Sequence, residues 1–344
     1  VSVQTTSGPA LERKVDVVRS SAALAAMVAR LESVREFAFD LETTSLQTVD
    51  ADIVGLSFAA AAGHAFYVPV GHTGHDAGPQ LRLDQVLSAL QPLLTAPDVR
   101  RYAQNGKYDV AVLARYGITV GALAFDPLLA SYLLDPGSFR HDLDSLSRQW
   151  LGHQTTTYEA LVGSGKDAIP FARVPVDKAA AYAGEDAELT WRLVDKLRPA
   201  IRDAGLETLL RDVELPLARL LGDMERRGIL VSAPELLALS DDFKARMDEI
   251  ESAAHAAAGI AFNLGSPKQL AEVLFDRLKL PTRTRTKTGY STDSQVLETL
   301  TGHHPLPGLV LSWRSLQKLR STYAETLPRL IHPRTGRLHT SFNQ

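Results

Sequence analysis

The sequence predicts an α/β fold, a mixed sheet flanked by helices, followed by a mainly helical second domain. Four segments have strand character, at residues 36–42, 53–59, 65–70 and 98–104. Three helical patterns follow, at 107–116, 126–134 and 177–197. Strands and helices in this arrangement are typical of a sheet covered by helices. After about residue 205 the strand signals fade, and 209–227 and 233–258 show helical periodicity. We therefore expect one domain at 1–205 and a second at 206–344.

The first strand ends in two acidic residues. Phe37, Phe39 and Leu41 alternate with small or acidic residues, as in a strand with one buried face. Asp40 and Glu42 then point to the opposite face. Side chains two residues apart on a strand lie roughly 6.6 Å apart along it. Both carboxylates can therefore reach a single cation or two adjacent cations.

Two further pairs of polar residues have a four-residue spacing. Asn105 precedes Asp109 by four positions, and Tyr182 precedes Asp186 by four positions. This spacing places both members of a pair on one face of a helix. Each pair alone also fits a helix cap, a packed ring or an exposed acid, because the chain has 40 acidic residues. The functional interpretation depends on the pairs and the acidic strand occurring together.

Four carboxylates that converge in one cleft repel one another unless cations or protons balance them. Oxygen ligands without cysteine are the set that Mg²⁺ prefers. Two such ions about 4 Å apart can activate a water and stabilise the leaving oxygen of a phosphodiester. The sequence thus predicts a site for two divalent cations, Mg²⁺ or alternatively Mn²⁺.

Composition limits the remaining possibilities. A length of 344 residues with 45% hydrophobic residues allows two domains with separate cores. The net charge of −3 gives no overall attraction to nucleic acid, so any such binding depends on local patches. The absence of cysteine excludes disulfides and thiolate sites. Residues 53–75 carry no charged side chain, but glycines and a proline interrupt them, and we expect two strands and no membrane span.

The neighbours of the acidic residues resemble a known family. Residues 39–46 read FDLETTSL, 104–109 read QNGKYD and 182–187 read YAGEDA. These motifs and their order resemble those of the proofreading 3′→5′ exonuclease domain of bacterial family A DNA polymerases, in the tyrosine-bearing subgroup of the DnaQ-like exonucleases. The resemblance implies a ribonuclease H-like fold and hydrolysis of the terminal phosphodiester of single-stranded or frayed DNA.

The resemblance also implies individual roles. Asp40, Glu42 and Asp186 correspond to ligands of the first metal, and Asp40 and Asp109 to ligands of the second. Tyr182 corresponds to the residue that hydrogen-bonds the attacking water.

The remaining expected DNA contacts lie in both domains. Leu46 corresponds to the apolar residue that wedges against the terminal base, and Asn105 is a further expected contact with the single strand. The segment after residue 227 resembles the polymerase thumb, which grips duplex DNA. Arg314 and Lys318, one helical turn apart, are there expected to contact phosphates.

Residues 282–289 read TRTRTKTG and contain three cations without an acid. Arg283, Arg285 and Lys287 could contact phosphates, although a short basic run is also typical of a solvated loop.

The family continues into palm and fingers where this sequence stops, and many relatives begin with a 5′ nuclease domain. We therefore expect an interior piece of a DNA-directed DNA polymerase of replication and repair, unable to polymerise by itself. The resemblance implies a monomer of the bacterial cytoplasm. It would bind a single-stranded 3′ end at the nuclease site and duplex DNA at the thumb, and no membrane.

Two other functions remain open. The first domain could be a catalytically silent scaffold that positions the thumb, as in relatives that have lost the acids. The chain could also be an RNA-trimming exonuclease such as ribonuclease D, which shares the acidic set. The thumb-like segment argues against the second alternative.

Overall fold

The computed structural model describes residues 11–74, 77–281, 285–286 and 289–344, with only the backbone of 285, 286 and 289. The chain forms two compact units. The first comprises Val1–Arg227 together with Ser341–Gln344, and the second comprises Gly228–Thr340. The first unit extends past residue 205 because Leu210 and Ala218 pack into the same apolar cluster as Tyr102 and Leu129.

The first unit is built on a six-stranded sheet. Its strands are β1 (Lys14–Val17), β2 (Glu36–Thr43), β3 (Ile53–Ala61), β4 (His64–Pro69), β5 (Arg100–Tyr102) and β6 (Leu123–Phe125). They lie in the order β1-β4-β3-β2-β5-β6. β2 is antiparallel to β3 and parallel to β5. The sheet is therefore mixed, as predicted.

Nine α-helices belong to the described part of this unit. They are α1 (Ser21–Val34), α2 (Leu83–Thr95), α3 (Lys107–Arg115), α4 (Pro127–Leu134), α5 (Leu143–Leu146), α6 (Tyr158–Val162), α7 (Val176–Asp203), α8 (Glu207–Leu209) and α9 (Leu215–Arg227). A π-helical segment, Ser147–Leu151, continues α5, and another, Leu210–Glu214, joins α8 to α9. Short 3₁₀ turns cover Gly165–Asp167 and Phe171–Arg173.

Strand β2 lies in the centre of the sheet and is covered on both faces. Phe37, Phe39 and Leu41 pack into the cluster that includes residues of α1 and α2. Ala38, on the other face, packs with Leu193 of α7. Because side chains alternate along a strand, Asp40 and Glu42 lie on the face that α7 covers. The sequence predicted this alternation correctly, but the strand is buried on both sides and not on one.

Helix α7 approaches the sheet closely because small residues line its contact face. Ala179, Ala183 and Ala187 are buried there. A Cβ added to Gly184 would lie 2.6 Å from Cγ2 of Val15 in β1, so only glycine permits this spacing. The short helix–sheet distance brings Asp186, two residues later on the same helix, toward β2.

Some elements lie outside the sequence prediction. β1 and β6 have four and three residues, too few to give a recognisable alternation. The sequence patterns described above do not predict α1 or α2. The predicted strand at 98–104 shortens to Arg100–Tyr102, whereas the other predicted strands and helices of this unit agree within a few residues.

The second unit is mainly helical, as predicted. Its helices are α10 (Ala233–Ala258), α11 (Pro267–Ala271), α12 (Ser294–Leu300), α13 (Pro305–Leu319) and α14 (Thr326–Arg329), and its two-residue strands are β7 (Ile229–Leu230), β8 (Arg285–Thr286), β9 (Gly289–Tyr290) and β10 (Arg337–Leu338). A π-helical segment, Glu272–Arg277, continues α11. The core forms around Leu270, Leu297 and Leu306.

The hydrogen bonding of helix α13 becomes irregular beyond its last residue. A π-helical segment, Arg320–Ala324, follows α13, and the N–H of Glu325 bonds the carbonyl of Arg320 at 2.9 Å. Within the described residues, no helix combines the length and apolar character needed to cross a bilayer.

Replacing Gly55 by alanine is expected to destabilise the first unit by about 1–3 kcal/mol, because overpacking a buried site forces its neighbours to move. Gly55 lies opposite Glu42 in the β2–β3 pairing, and an added Cβ would lie 2.1 Å from the Tyr67 hydroxyl oxygen. Thermal unfolding of Gly55→Ala should be compared with that of Gly137→Ala, where the nearest atom is 3.5 Å away. Equal melting temperatures for the two variants would contradict the close packing of Gly55.

Candidate metal centre

Three carboxylates meet between β2 and α7. Asp40, Glu42 and Asp186 can each offer one oxygen such that all three lie within 4.8 Å of one another. Glu42 is buried, with 7% of its surface exposed, whereas Asp40 and Asp186 keep partial access to solvent. Glu42 and Asp186, 144 positions apart in sequence, thus belong to one acidic cluster, as the sequence predicted.

Asp109, in the first turn of α3, lies beside this cluster. Its Oδ1 accepts a hydrogen bond from the Leu41 N–H at 3.2 Å, between the two acids of β2. Only 3% of Asp109 is exposed, so the alternative of an exposed surface acid is wrong. The carboxylate of Asp126 holds the beginning of α3 by accepting the N–H groups of Asn105 at 3.1 Å and Gly106 at 3.0 Å.

The four carboxyl groups titrate abnormally because they are poorly solvated and close together. Burial raises the pKa of Asp40 to about 7. Burial and the charge of Asp40 raise the pKa of Glu42 and of Asp109 well above their ordinary values. The same two causes, in that order, raise the pKa of Asp186. An environment that disfavours four negative charges is the one in which a divalent cation is bound most favourably.

One oxygen of this cluster is open to a ligand. Oε1 of Glu42 is buried and has no hydrogen-bond partner. The hydroxyl of the nearby Tyr67 lies 2.7 Å from His72 Nε2, and His72 Nδ1 lies 3.1 Å from the Val174 carbonyl. Because a carbonyl only accepts, Nδ1 carries the hydrogen and the Tyr67 hydroxyl donates to Nε2. The Tyr67 hydroxyl therefore donates to His72 and not to Glu42. The carboxylate oxygens of the cluster are then suitable ligands for a cation.

Tyr182 lies one helical turn before Asp186, and the two side chains interact electrostatically. Burial and the neighbouring acids raise the pKa of Tyr182 far above its ordinary value. The hydroxyl therefore stays protonated at neutral pH and can donate a hydrogen bond beside the acids.

An aromatic group that the sequence analysis did not identify adjoins Tyr182. The ring of Tyr158 is 47% exposed and stacks parallel to Phe171, with centroids 6.3 Å apart. It contacts the Tyr182 ring edge-on at 6.3 Å. Burial and the charge of Glu42 raise the pKa of Tyr158, which places its hydroxyl in the electrostatic range of the cluster. No sequence motif distinguishes Tyr158 from other tyrosines.

Leu46 is highly exposed just beyond the end of β2, with 92% of its surface accessible. It lies in the turn after the strand. The Tyr108 hydroxyl, from α3, lies 2.5 Å from the Thr43 hydroxyl and donates to the Ser45 carbonyl at 2.5 Å. These bonds tie the turn that presents Leu46 to the helix that carries Asp109.

The predicted DNA contacts of the second unit are only partly described. Arg283 and Lys287 lie outside the described residues, and Arg285 is described by its backbone in β8 alone. Lys318 is exposed at the end of α13. Arg314 is half-buried and donates to the Thr292 carbonyl at 2.5 Å, so its guanidinium also holds the turn before α12.

Together the mixed sheet and its four carboxylates define the class of metal-dependent nucleases. Residues 15–202 match the family described as 3′-5′ exonuclease, and residues 233–344 match DNA polymerase family A. The chain belongs to the 3′-5′ exonuclease family, whose chemistry uses divalent metal ions. This agrees with the resemblance noted in the sequence.

Individual relatives extend the match to nearly the whole chain. The chain is 42% identical to DNA polymerase I of Pseudomonas aeruginosa, over 96% of its own length and 37% of that protein. It is 41% identical to DNA polymerase I of Chloroflexus aurantiacus, over 96% of its length and 35% of that protein. The chain thus spans about a third of the length of these relatives.

A solved structure has a similar fold. The POL domain of Pol1 from M. smegmatis, in complex with DNA primer-template and dNTP, superimposes with a TM-score of 0.77 at 27% identity. The match covers 96% of this chain and 53% of that one.

In the absence of divalent ions, the free energy of unfolding is expected to fall as the pH rises from 5 to 8. Burial raises the pKa of Asp40 to about 7 and that of Asp126 to about 6. In the unfolded chain these carboxyl groups release their protons near pH 4, whereas in the folded chain they keep them to higher pH. The stability that these groups contribute is complete below pH 4 and is lost as the pH rises through 6 and 7.

Mg²⁺ should reverse this loss at pH 8 and have little effect at pH 5, because cations compete with protons for the same oxygens. Urea unfolding at both pH values, with EDTA or with Mg²⁺, measures the effect. A gain in stability from Mg²⁺ that is equal at both pH values would contradict it.

Proposed function

We propose that the chain is the proofreading part of a bacterial family A DNA polymerase and removes nucleotides from the 3′ end of single-stranded or frayed DNA. The observation that carries this proposal is the buried carboxylate cluster with an unpartnered Glu42 oxygen beside a protonated tyrosine. Membership of the 3′-5′ exonuclease family supports the proposed reaction, and the DNA polymerase I relatives support the proposed polymerase context.

The carboxylates would hold two divalent cations, for which Mg²⁺ is the best match and Mn²⁺ the alternative. Asp40, Glu42 and Asp186 would hold the first, and Asp40 with Asp109 the second. When bound, the cations supply an activated water and stabilise the leaving oxygen of the phosphodiester. The family's use of metal supports this assignment, while the choice of ion is ours.

The side chains around the cluster would select and orient the substrate. The Tyr182 hydroxyl can donate to the water that attacks the terminal phosphate. Leu46 and the Tyr158 ring, both exposed, offer apolar surfaces for the terminal base. Stacking of this kind accepts every base, so selection rests on whether the end is unpaired. Mismatched ends fray more readily, and this difference makes the reaction a proofreading step.

The second unit would bind duplex DNA as a polymerase thumb. The relative from M. smegmatis, described in complex with DNA primer-template and dNTP, supports this. Lys318 is exposed for a phosphate contact, and Arg283, Arg285, Lys287 and the half-buried Arg314 remain proposed contacts. We further propose that the chain acts as a monomer in the bacterial cytoplasm, as a portion of a polymerase of replication and repair, with a nuclease domain at 1–205 and a thumb at 206–344.

The two other functions make different predictions. A silent scaffold would not need the acids, yet all four are present and clustered. An RNA-trimming exonuclease would release nucleotides faster from single-stranded RNA than from DNA of the same sequence. Comparing the two substrates at equal concentration decides between these nucleases.

Replacing Asp186 by asparagine is expected to lower the rate of nucleotide release by about a thousandfold or more, because loss of a transition-state charge contact costs several kcal/mol. Asp195→Asn provides a matched control, since Asp195 is exposed on the same helix. Release from a 5′-labelled single strand measures both. Comparable rates for Asp186→Asn and Asp195→Asn would refute the assignment of the site.

Replacing Tyr158 by alanine is expected to raise the KM for single-stranded DNA roughly 5- to 150-fold, since one base–aromatic stack contributes about 1–3 kcal/mol. The kcat should change much less, because the ring touches no reacting group. Tyr158→Phe keeps the ring and should behave like the original chain. If Tyr158→Ala lowers kcat and leaves KM unchanged, the ring does not bind the base.

A further inference from the structure

Glu185, the residue immediately before Asp186, faces a different set of partners from its neighbour. It is buried, with 4% of its surface exposed. Its Oε2 accepts the Thr156 N–H at 2.9 Å, and its Oε1 lies 2.9 Å from His153 Nε2. Arg13 forms an ion pair with the same Oε1. One carboxylate therefore binds the loop that contains residues 153 and 156 to helix α7.

The carboxylate of Glu185 is held from three directions. The Thr156 N–H, His153 and Arg13 all contact it. Arg13 also lies 3.5 Å from the fully buried Glu188, which accepts the Gly63 N–H at 2.7 Å. The contacts of Glu185 are thus connected, through Arg13 and Glu188, to the turn between β3 and β4 as well as to α7.

The anchored loop leads directly into the short helix α6. Thr157 caps this helix, because its hydroxyl accepts the Ala160 N–H at 3.2 Å. A five-residue helix has little stability of its own. Tyr158 is its first residue, so the position of the Tyr158 ring depends on the loop bond to Glu185 and on the cap.

We infer that Glu185 and Thr157 are positioning residues of the nuclease site, which hold the Tyr158 ring beside the carboxylate cluster so that a terminal base can stack on it. This inference rests on the proposed function. The chain of contacts runs from the Glu185 carboxylate through the Thr156 N–H to the Thr157 cap and then to Tyr158. Glu185 and Asp186 therefore have different roles in one helix turn. Asp186 belongs to the carboxylate cluster, and Glu185 holds the loop that positions the base-binding ring of Tyr158.

The sharpest test uses Thr157, because its side chain is exposed and its loss leaves every buried charge paired. Thr157→Ala is expected to raise the KM for a single-stranded oligonucleotide about 3- to 10-fold, the range that loss of one cap allows. The kcat should stay within about twofold, since no metal ligand moves. Thr157→Ser, which keeps the hydroxyl, should restore the original KM.

Ser20→Ala is the matched control. Ser20 caps α1 through the same kind of bond, accepted from the Ala23 N–H at 3.3 Å. Its loss should leave KM unchanged. A general loss of stability would affect both cap variants, whereas the inferred role affects only Thr157.

A spectroscopic measurement reports on stacking directly. An oligonucleotide with 2-aminopurine at its 3′ end is bound with Ca²⁺ replacing Mg²⁺ to slow hydrolysis, and quenching of its fluorescence follows base stacking. Quenching should weaken for Thr157→Ala and for Glu185→Gln and should persist for Thr157→Ser and Ser20→Ala. The affinity for Mn²⁺ should be the same in all five proteins, the original chain included.

The outcomes separate this inference from the proposed function. If the original chain releases no nucleotides from DNA, the proposed function fails. If the original chain is active and Thr157→Ala leaves KM and quenching unchanged, the positioning role is wrong. A fall in kcat and in Mn²⁺ affinity, with KM unchanged, would also overturn it. Should Glu185→Gln fail to fold, the Thr157 variants decide the question.

Discussion

The mutual repulsion of four carboxylates is the constraint on which this structure depends. Asp40 and Glu42 are fixed on the central strand, Asp186 on a helix packed across it, and Asp109 on a second helix. Each lies where burial and neighbouring charge raise its pKa. The fold keeps these groups together by packing elsewhere in the sheet and helices. Bound cations would relieve this repulsion, so the arrangement that costs stability without metal favours metal binding.

The residues around the cluster determine which of its atoms remain available to ligands. The Tyr67 hydroxyl lies against Gly55 and donates to His72, which leaves one Glu42 oxygen without a donor. The Tyr182 hydroxyl remains protonated beside Asp186. The proposed reaction needs both conditions at once, acceptor oxygens left open for cations and one donor kept for the attacking oxygen. Neither condition is visible in the acidic residues alone.

Glu185 and Glu188 show the opposite use of buried carboxylates. Both are compensated by arginines and backbone N–H groups, and Glu185 has a lowered pKa where its neighbour Asp186 has a raised one. Two adjacent residues on one helix thus have opposite electrostatic environments. The compensated pair stabilises the loop and helix beside the site, and the uncompensated cluster is left for ligands. Because both residues lie on α7, one helix positions the proposed base-binding surface and the proposed metal ligands.

The sequence by itself determined the alternation that puts Asp40 and Glu42 on one face, the helical spacing of Tyr182 and Asp186, and the mixed sheet with a helical second part. These are local periodicities, which the chain carries in a few consecutive residues. Only the tertiary structure decided that Asp109 is buried against Leu41, that Tyr158 stacks beside the acids, and that Glu185 holds its loop. Those contacts join residues far apart in sequence. They depend on how α3, α7 and the loop before α6 pack together, which the local periodicity of the chain does not specify.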